Sequence, residues 1–588
     1  MSIISKQKER LRTISKAVWR NYKAAPTIFI SLMVVNLAAS VLGYIPGLIS
    51  RSLLNLLQSG APYKRIVYTI LLVIPAAVII KVIDAVSSML SLRQNDVFEQ
   101  YINEEILEKN AKLDVSCYDT PKYYNIIRDL TRSKRSFNRL KTQAMRFLAA
   151  TLTFIVNIAV ITYYSSFIYV IVMLIFVIPS VLLSSKYQSK INKHEIDNQC
   201  TMRRLSYYAG VMTDRISAQE IRFYDLSDFF IKKYEDLSNE YRDSKKKIDL
   251  KYGIADSLAN VLPGIGVCVV LIVSAVNVVH GRMLIGDFIF LISAVSGLQA
   301  HFSQIAFNLS MVDVNCHAAK KYEDYLALSE TDNSGSMLLE RLDSIEFRNV
   351  SFSYPYSDSI VLDNVSFRID PRERTALVGV NGAGKTTIAK LLTRFYKADG
   401  GEILINGVDI NKYELNSLRA HIAPVFQNYN IYSLSLGFNL TLTFEYKNKE
   451  EHMNSAMAGA GLGNLLESIS NNYDTELSKR FSEDGVILSG GQNQRLAIAR
   501  SLYSNAGYYL LDEPSAALDP IAEAQILRQF DKSYSDRGLL MITHRLSNTE
   551  TMDKIIVIEN GKVIETGSHD ELLAKKGRYF ELLELQKT

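Results

Sequence analysis

Apolar residues are unevenly spread along this chain. Between Ala24 and Asp313 they form long uncharged runs, whereas from about Ile345 onward they come in short pieces between Gly, Asp, Asn and charged residues. A helix of roughly 20 apolar residues crosses a ~30 Å hydrocarbon core, and the pattern predicts six such spans, near 24–50, 66–92, 147–164, 167–185, 257–280 and 285–312. The uncharged stretch from Phe147 to Ser185 is too long for one span, so it divides at the polar turn Tyr164-Ser165-Ser166. A basic flank with Lys6, Lys8, Arg10, Arg12, Lys16, Arg20 and Lys23 precedes the first run. That run is too long for a signal peptide and lacks a small-residue cleavage site, so it reads as a retained span.

Connections alternate between short (51–65, 164–167, 281–284) and long (93–146 and 186–256), and the long ones are rich in Lys and Arg. The positive-inside bias therefore places both termini and both long segments in the cytoplasm of a multi-pass cell-membrane protein. Structureless loops of that length are uncommon, so the spans are expected to continue as helices into the cytosol, with a short crossing helix at each tip, near Asp119–Tyr124 and Glu220–Asp228. Asp119-Thr120-Pro121 is a helix-start signal, a capping residue before a Pro at the first helical position. Inside the second span, Lys81 and Asp84 share a helix face and can neutralise one another. They read either as a structural pair or as a substrate-contacting one, on a face looking into a water-accessible interior. Asn157, Asn260, Asn277, His280 and His301 are expected to be interhelical hydrogen-bond partners.

Composition alone would hide all this. The chain has 588 residues, 48% hydrophobic and 22% charged, and its mean hydropathy of +0.04 is the average of two opposed halves. Length suggests about four domain-sized pieces; the pattern gives two, a transmembrane domain over 1–328 and a second domain over 343–588, joined by a polar, flexible linker over 329–342. The net charge of +5 carries no continuous basic stripe, which argues against a nucleic-acid partner. Cys117, Cys200, Cys268 and Cys316 have neither metal-ligand nor disulfide spacing.

The second domain carries the chemistry. Ala376-Leu377-Val378 reads as a short buried strand running into Gly379-Val380-Asn381-Gly382-Ala383-Gly384-Lys385-Thr386-Thr387, after which Ile388 to Phe395 has helical spacing. That is the setting a phosphate-binding G-x-x-x-x-G-K-[ST] loop requires. Gly379, Gly382 and Gly384 let backbone amides turn inward around phosphate oxygens, and the helix N-terminus adds its positive end. Lys385 supplies a charge at the β/γ-phosphates and Thr386 a hydroxyl to Mg²⁺. Tyr508 to Leu511 reads as a second buried strand, ending in Asp512, which can hold Mg²⁺, and Glu513, which can polarise an attacking water.

Leu488-Ser489-Gly490-Gly491-Gln492, followed by Gln494-Arg495, is no general feature of such loops. It matches the signature of the ABC transporters, and the chain resembles a half-size member of the exporter fold along essentially its whole length. The resemblance implies a multidomain membrane protein with an all-α six-helix transmembrane domain and an α/β P-loop ATPase domain that uses ATP and Mg²⁺. It implies that Tyr354 stacks on adenine and that Asn381, Ala383 and Thr387 belong to the phosphate loop. It further makes Gln427 the glutamine that senses γ-phosphate and metal, Ser515 to Asp519 the D-loop, and His544 the switch histidine beside the catalytic Glu513. Ser489, Gly490, Gly491 and Gln492 would cap the ATP of an opposite subunit, so a second chain is implied, a homodimer being favoured over a heterodimer. The expected activity is ATP-driven export of a small amphipathic molecule, a lipid or a peptide by alternating access within membrane lipid. The alternatives are an exporter-fold importer of, for example, an iron chelate, and an ATP-gated channel or regulator. One departure stands out: Arg480-Phe481-Ser482-Glu483-Asp484-Gly485 replaces the segment that usually precedes the signature, a variant similar to a bacterial group that includes exporters of modified peptides.

Overall fold

A computed structural model describes residues 3–587 apart from 215–216, 356, 358, 505, 515–522, 524–525, 527 and 529–536. The chain forms two compact units, Met1–Ala111 with Tyr124–Leu328, and Lys112–Tyr123 with Ser329–Thr588.

The described part of the first unit is helical: α1 (Ile3–Ala24), α2 (Pro26–Leu42), α3 (Ile45–Gln58), α4 (Tyr63–Lys112), α5 (Pro121–Tyr164), α6 (Phe167–Asp197), α7 (Gln199–Thr213), α8 (Ser217–Phe223), α9 (Ser227–Ile248), α10 (Ile254–Ala259), α11 (Val261–Val279) and α12 (Ile285–Leu326). Among the described residues, six helical stretches are long and apolar enough to cross a membrane. In α4 the roles of apolar and polar residues are inverted relative to a soluble helix. Its apolar half is exposed, with Leu72, Ile74 and Val78 each more than half accessible, as befits a surface whose solvent is hydrocarbon. Its polar half instead buries one stripe, Gln94, Phe98, Ile102, Ile106 and Lys109, at the three-to-four spacing of a helix face. Gln94 donates to the carbonyl of Asn21 (2.9 Å) and Lys141 reaches Asn95 (3.0 Å), so the extension is held by polar as well as apolar contacts.

Several expectations are revised here. The first span breaks between Leu42 and Ile45, because Pro46 has no amide hydrogen to donate to the preceding turn. The basic tail is itself a helix whose charges are partly used: Lys16 pairs with Glu323 at 2.7 Å, and Arg20 pairs with Glu105 while lying over the rings of Tyr322 and Phe137. At the first tip, the short element is a 3-10 turn over Val115–Asp119, started by Asp114 accepting from the amide of Ser116. The Thr120-Pro121 signal starts the long helix α5, with the hydroxyl of Thr120 accepting from the amide of Tyr123 at 3.1 Å. At the second tip, α8 is the short helix, one turn earlier than expected, ended by Asp225 at φ +51°. The Lys81 and Asp84 side chains lie 4.0 Å apart and both are exposed, so nothing in this unit covers them. Of the predicted interhelical partners, Asn277 donates to the Tyr169 hydroxyl of α6 at 3.0 Å, whereas His280 and Asn260 bond within their own helices. Asn157 is fully buried with neither amide atom paired.

The N-terminus of α12 is capped from another helix. Gln58 and Asn55 of α3 accept from the amides of Ile285 and Gly286 at 2.8 and 2.9 Å, and Arg51 pairs with Asp287. A Cβ at Gly286 would stand 2.3 Å from the carbonyl oxygen of Arg51, so only glycine lets these helices meet.

In the second unit, β1 (Ile345–Ser353), β2 (Ile360–Ile369), β4 (Gly400–Ile405) and β5 (Val408–Asp409) form an antiparallel sheet in the order β2-β1-β4-β5. A second sheet, in the order β10-β9-β3-β8-β7-β6, comprises β3 (Arg374–Val378), β6 (Ile422–Val425), β7 (Tyr508–Asp512), β8 (Gly538–Ile542), β9 (Lys554–Glu559) and β10 (Lys562–Gly567). It is parallel apart from β10. Strands β7 and β8 are buried along their whole length, as expected of parallel strands covered on both faces. Helices α13 (Lys385–Leu392), α14 (Leu415–Ala420), α15 (Leu436–Thr441), α16 (Glu450–Gly459), α17 (Gly463–Ser468) and α18 (Gly490–Tyr503) complete the part that positions the site.

The linker, read as flexible, is pinned. Arg394 donates to the carbonyl of Asp332 at 3.0 Å, the amide of Leu415 to Asn333 at 3.0 Å and the amide of Ser336 to Lys412 at 3.1 Å. Lys112–Tyr123 joins it: Thr331 donates to Lys112 (2.8 Å), Asp114 to Ser329 (3.2 Å), and the Tyr396 hydroxyl to Asp119.

Candidate functional site

Four neighbouring parallel strands, β3, β8, β7 and β6, end on the same edge of the large sheet. The phosphate loop follows β3, Thr543-His544 follows β8, Asp512-Glu513 closes β7, and Gln427 lies just beyond β6. Ligands in open α/β sheets bind at the carboxyl ends of such strands, so topology alone gathers residues scattered through the sequence.

Hydrogen bonds finish the assembly. The ammonium of Lys385 is buried and curls back to the carbonyls of Gly379 (2.8 Å) and Val380 (3.0 Å). Thr386 donates to Asp512 at 3.3 Å. Gln427 donates to one oxygen of Glu513 at 2.9 Å while Nε2 of His544 lies 2.5 Å from the other. The loop's shape is enforced: Gly379, Gly382 and Gly384 have φ of +152°, +80° and +103°, and a Cβ on Gly379 would sit 2.1 Å from the carbonyl of Ile558. Asn381 is exposed on the loop, and Ala383 and Thr387 are buried behind it. Glu513, with φ +51°, occupies the left-handed region that disfavours side chains.

Electrostatics follow from burial. Asp512 is pushed up to about 6, chiefly by burial and secondarily by the charge of Glu513. Burial pushes Lys385 below its ordinary value, opposed by Glu513 and Asp512. Among the described residues no three His, Cys, Asp or Glu side chains cluster to hold a metal. The oxygen donors at hand, the Thr386 hydroxyl and the Asp512 carboxylate, suit Mg²⁺, which takes few protein ligands and completes its shell with phosphate and water.

The signature residues stand apart. Ser489 and Gln492 form a reciprocal capping box at the start of α18, Ser489 accepting from the amide of Gln492 at 3.2 Å and Gln492 from that of Ser489 at 2.9 Å. None of the described hydrogen bonds joins Ser489, Gly490, Gly491 or Gln492 to the phosphate loop of the same chain, and Ser489 and Gly490 are exposed. The expected D-loop, Ser515 to Asp519, lies outside the described residues.

Three residues around the predicted ones, Gln494, Lys390 and Tyr396, have contacts that escape sequence reading, whereas Tyr354 is itself predicted. Gln494 reaches from α18 to the carbonyl of Glu513 at 3.4 Å. Tyr354 bonds Thr387 at 3.1 Å and stands edge-on to Phe352 and Tyr396, with Lys390 over its ring at 4.9 Å. The one available signal for Lys390 is its i,i+3 spacing from Thr387 on α13; for Tyr396, distant from Tyr354 in sequence, there is none.

Residues 27–302 match the model of the ABC transporter transmembrane region and residues 362–516 that of the ABC transporter. The ATP-dependent lipid A-core flippase of Vibrio parahaemolyticus serotype O3:K6 is 30% identical over 478 residues, 80% of each chain. The subtilin transport ATP-binding protein SpaT of Bacillus subtilis is 28% identical over 559 residues, 93% of this chain and 90% of that one. Among solved structures, a bacterial Atm1-family ABC exporter with ATP bound superposes with a TM-score of 0.79 at 22% identity, covering 96% of this chain and 98% of that one, which establishes the shared fold. This chain therefore belongs to the ABC transporter family, as a membrane protein whose ATP-binding domain couples ATP hydrolysis to transport.

Proposed function

We propose that the protein exports a small amphipathic molecule, a lipid or a peptide, as one of two identical subunits, with its nucleotide domain and both termini in the cytoplasm. The observation that carries the catalytic part is the convergence of Gln427, Glu513 and His544. A carboxylate held between a glutamine amide and an imidazole, beside a lysine and a glycine-rich loop, is placed to orient water against a terminal phosphoryl group. In this reading Gly379, Asn381, Gly382, Ala383, Gly384, Lys385, Thr386 and Thr387 cradle the phosphates and Tyr354 stacks on adenine. Glu513 takes the proton of the attacking water, and His544 holds Glu513 and meets the charge developing on the phosphoryl oxygens. Thr386, Asp512 and Gln427 would hold Mg²⁺, which when bound neutralises phosphate charge.

The exposed start of α18 supports action in trans. Ser489, Gly490, Gly491 and Gln492 offer a helix N-terminus, a ready anion site, that the chain's own phosphate loop leaves unused. A two-fold pair would place each against the other's ATP, giving two clamped nucleotides and hence a means of switching the spans between inward and outward access. The names of the relatives, one a lipid A-core flippase and one a subtilin transporter, support a lipid or peptide cargo.

Glu513→Gln tests the core of this reading. The variant is expected to bind ATP while ATPase turnover falls at least ~100-fold, the usual loss on removing a general base; turnover close to that of the unmodified protein would overturn the assignment.

A further inference from the structure

Three helices of the first unit line an open pocket of ≈440 Å³, of mixed polar and apolar character, that plays no part in ATP chemistry. It is lined by Asn36 and Ser40 of α2 and by Gly43 just beyond it, by Arg146 and Thr153 of α5, and by Gly297, His301 and Gln304 of α12. With Ala149 and Ala150 between Arg146 and Thr153, each set recurs at steps of about one helical turn, so each lies on one side of its helix. No carboxylate lines the cavity, and Arg146 makes no hydrogen bond or ion pair among the described residues. Arg146 is exposed, so its guanidinium is open to an anion entering from the pocket side.

A second observation lies one turn deeper. Asn157 follows Thr153 on the same face of α5, is completely buried, and has both amide atoms unpaired. A Cβ on Gly297 would stand 3.3 Å from its Nδ2, so the amide faces the glycine that forms the cavity wall. Buried polar groups are almost always satisfied, and these two amide atoms await a partner from that side.

We infer that this cavity is a subsite for the anionic group, a carboxylate or a phosphate, of an amphipathic transported molecule. Arg146 supplies the charge and a planar fork of donors. His301 and Gln304 add neutral hydrogen bonds, and the apolar body of the ligand lies along the surrounding spans. The inference deepens the transporter reading and rests on it.

ATPase stimulation of the full-length protein in phosphatidylcholine nanodiscs tests it, with dodecyl phosphate and dodecanoate as amphipathic anions. Dodecylammonium and dodecyl glucoside serve as the cationic and neutral equivalents, and inorganic phosphate and acetate as anions without an apolar body. The two amphipathic anions are expected to stimulate at concentrations at least tenfold lower than the other four. Arg146→Gln should raise their half-stimulating concentration tenfold or more without shifting that of dodecyl glucoside, which also reports that the variant is folded. Arg146→Lys should recover most of the loss. Equal stimulation by all amphiphiles or by none, equal action of inorganic phosphate, or a shift in the glucoside matching that in the anions would each overturn it. Loss of ATPase in Glu513→Gln is read separately, so a failed catalytic assignment and a failed subsite give different results.

Discussion

At the scale of the residue, Asp512 shows how a buried carboxylate at the candidate site costs stability. A carboxyl whose folded pKa is about 6 binds more protons folded than unfolded between roughly pH 4 and 6. It therefore disfavours the folded state above pH 6, by about 3 kcal/mol, and ceases to do so below about pH 4. Asp512→Asn is expected to raise the Tm of the ATP-free protein at pH 7.5, with the gain fading as the pH approaches 4, while ATP turnover is lost. Thermal unfolding across that range checks it; a gain independent of pH would refute the electrostatic origin. Glu513 stores a different cost, since a non-glycine residue in the left-handed region carries of order 1–3 kcal/mol of backbone strain. Lys385, Thr386, Asp512 and Glu513 were legible in the sequence because phosphate and metal chemistry confine residue type and spacing together. Tyr396, Lys390 and Gln494 were not, because their contacts depend on elements brought together only by the folded sheet.

Between elements, glycines and caps decide which helices and strands can meet. Gly379→Ala would drive a Cβ to within 2.1 Å of the Ile558 carbonyl, so the variant is expected to lose ATP binding outright, measurable with a fluorescent nucleotide. Gly286→Ala forces the same conflict between α12 and α3, and should lower the Tm by several degrees without altering the nucleotide loop. The Tyr396–Asp119 bond ties Lys112–Tyr123 to the aromatic group beside the phosphate helix. Tyr396→Phe keeps the ring packing and removes only the bond. It is expected to retain ATP affinity while transport per ATP falls several-fold in proteoliposomes; unchanged coupling would make the contact purely structural. Six apolar runs and alternating strands were readable because hydrophobic period and length carry them. The exact tip helices were not: whether Asp119-Thr120-Pro121 opens a short helix or a 44-residue one depends on Asp114 having already formed a 3-10 turn upstream.

On the scale of the whole molecule, the proposed action in trans makes a complete ATP site depend on a second chain, because none of the described hydrogen bonds joins Ser489 to Gln492 to the phosphate loop of their own chain. Joining Ser489→Cys in one copy to Asn381→Cys in another with a short bifunctional maleimide is expected to yield a dimer-sized band in ATP and little without it. A band of monomer size only would refute trans capping. The chain also enters its second unit twice, once for Lys112–Tyr123 and again at Ser329. A nucleotide domain cut from the gene at Ser329 is therefore a truncated object. It would leave the carbonyl of Ser329, the amide of Thr331 and the hydroxyl of Tyr396 without their partners, and a synthetic peptide spanning 112–123 added in solution should raise its melting temperature, as a missing strand restores a split protein.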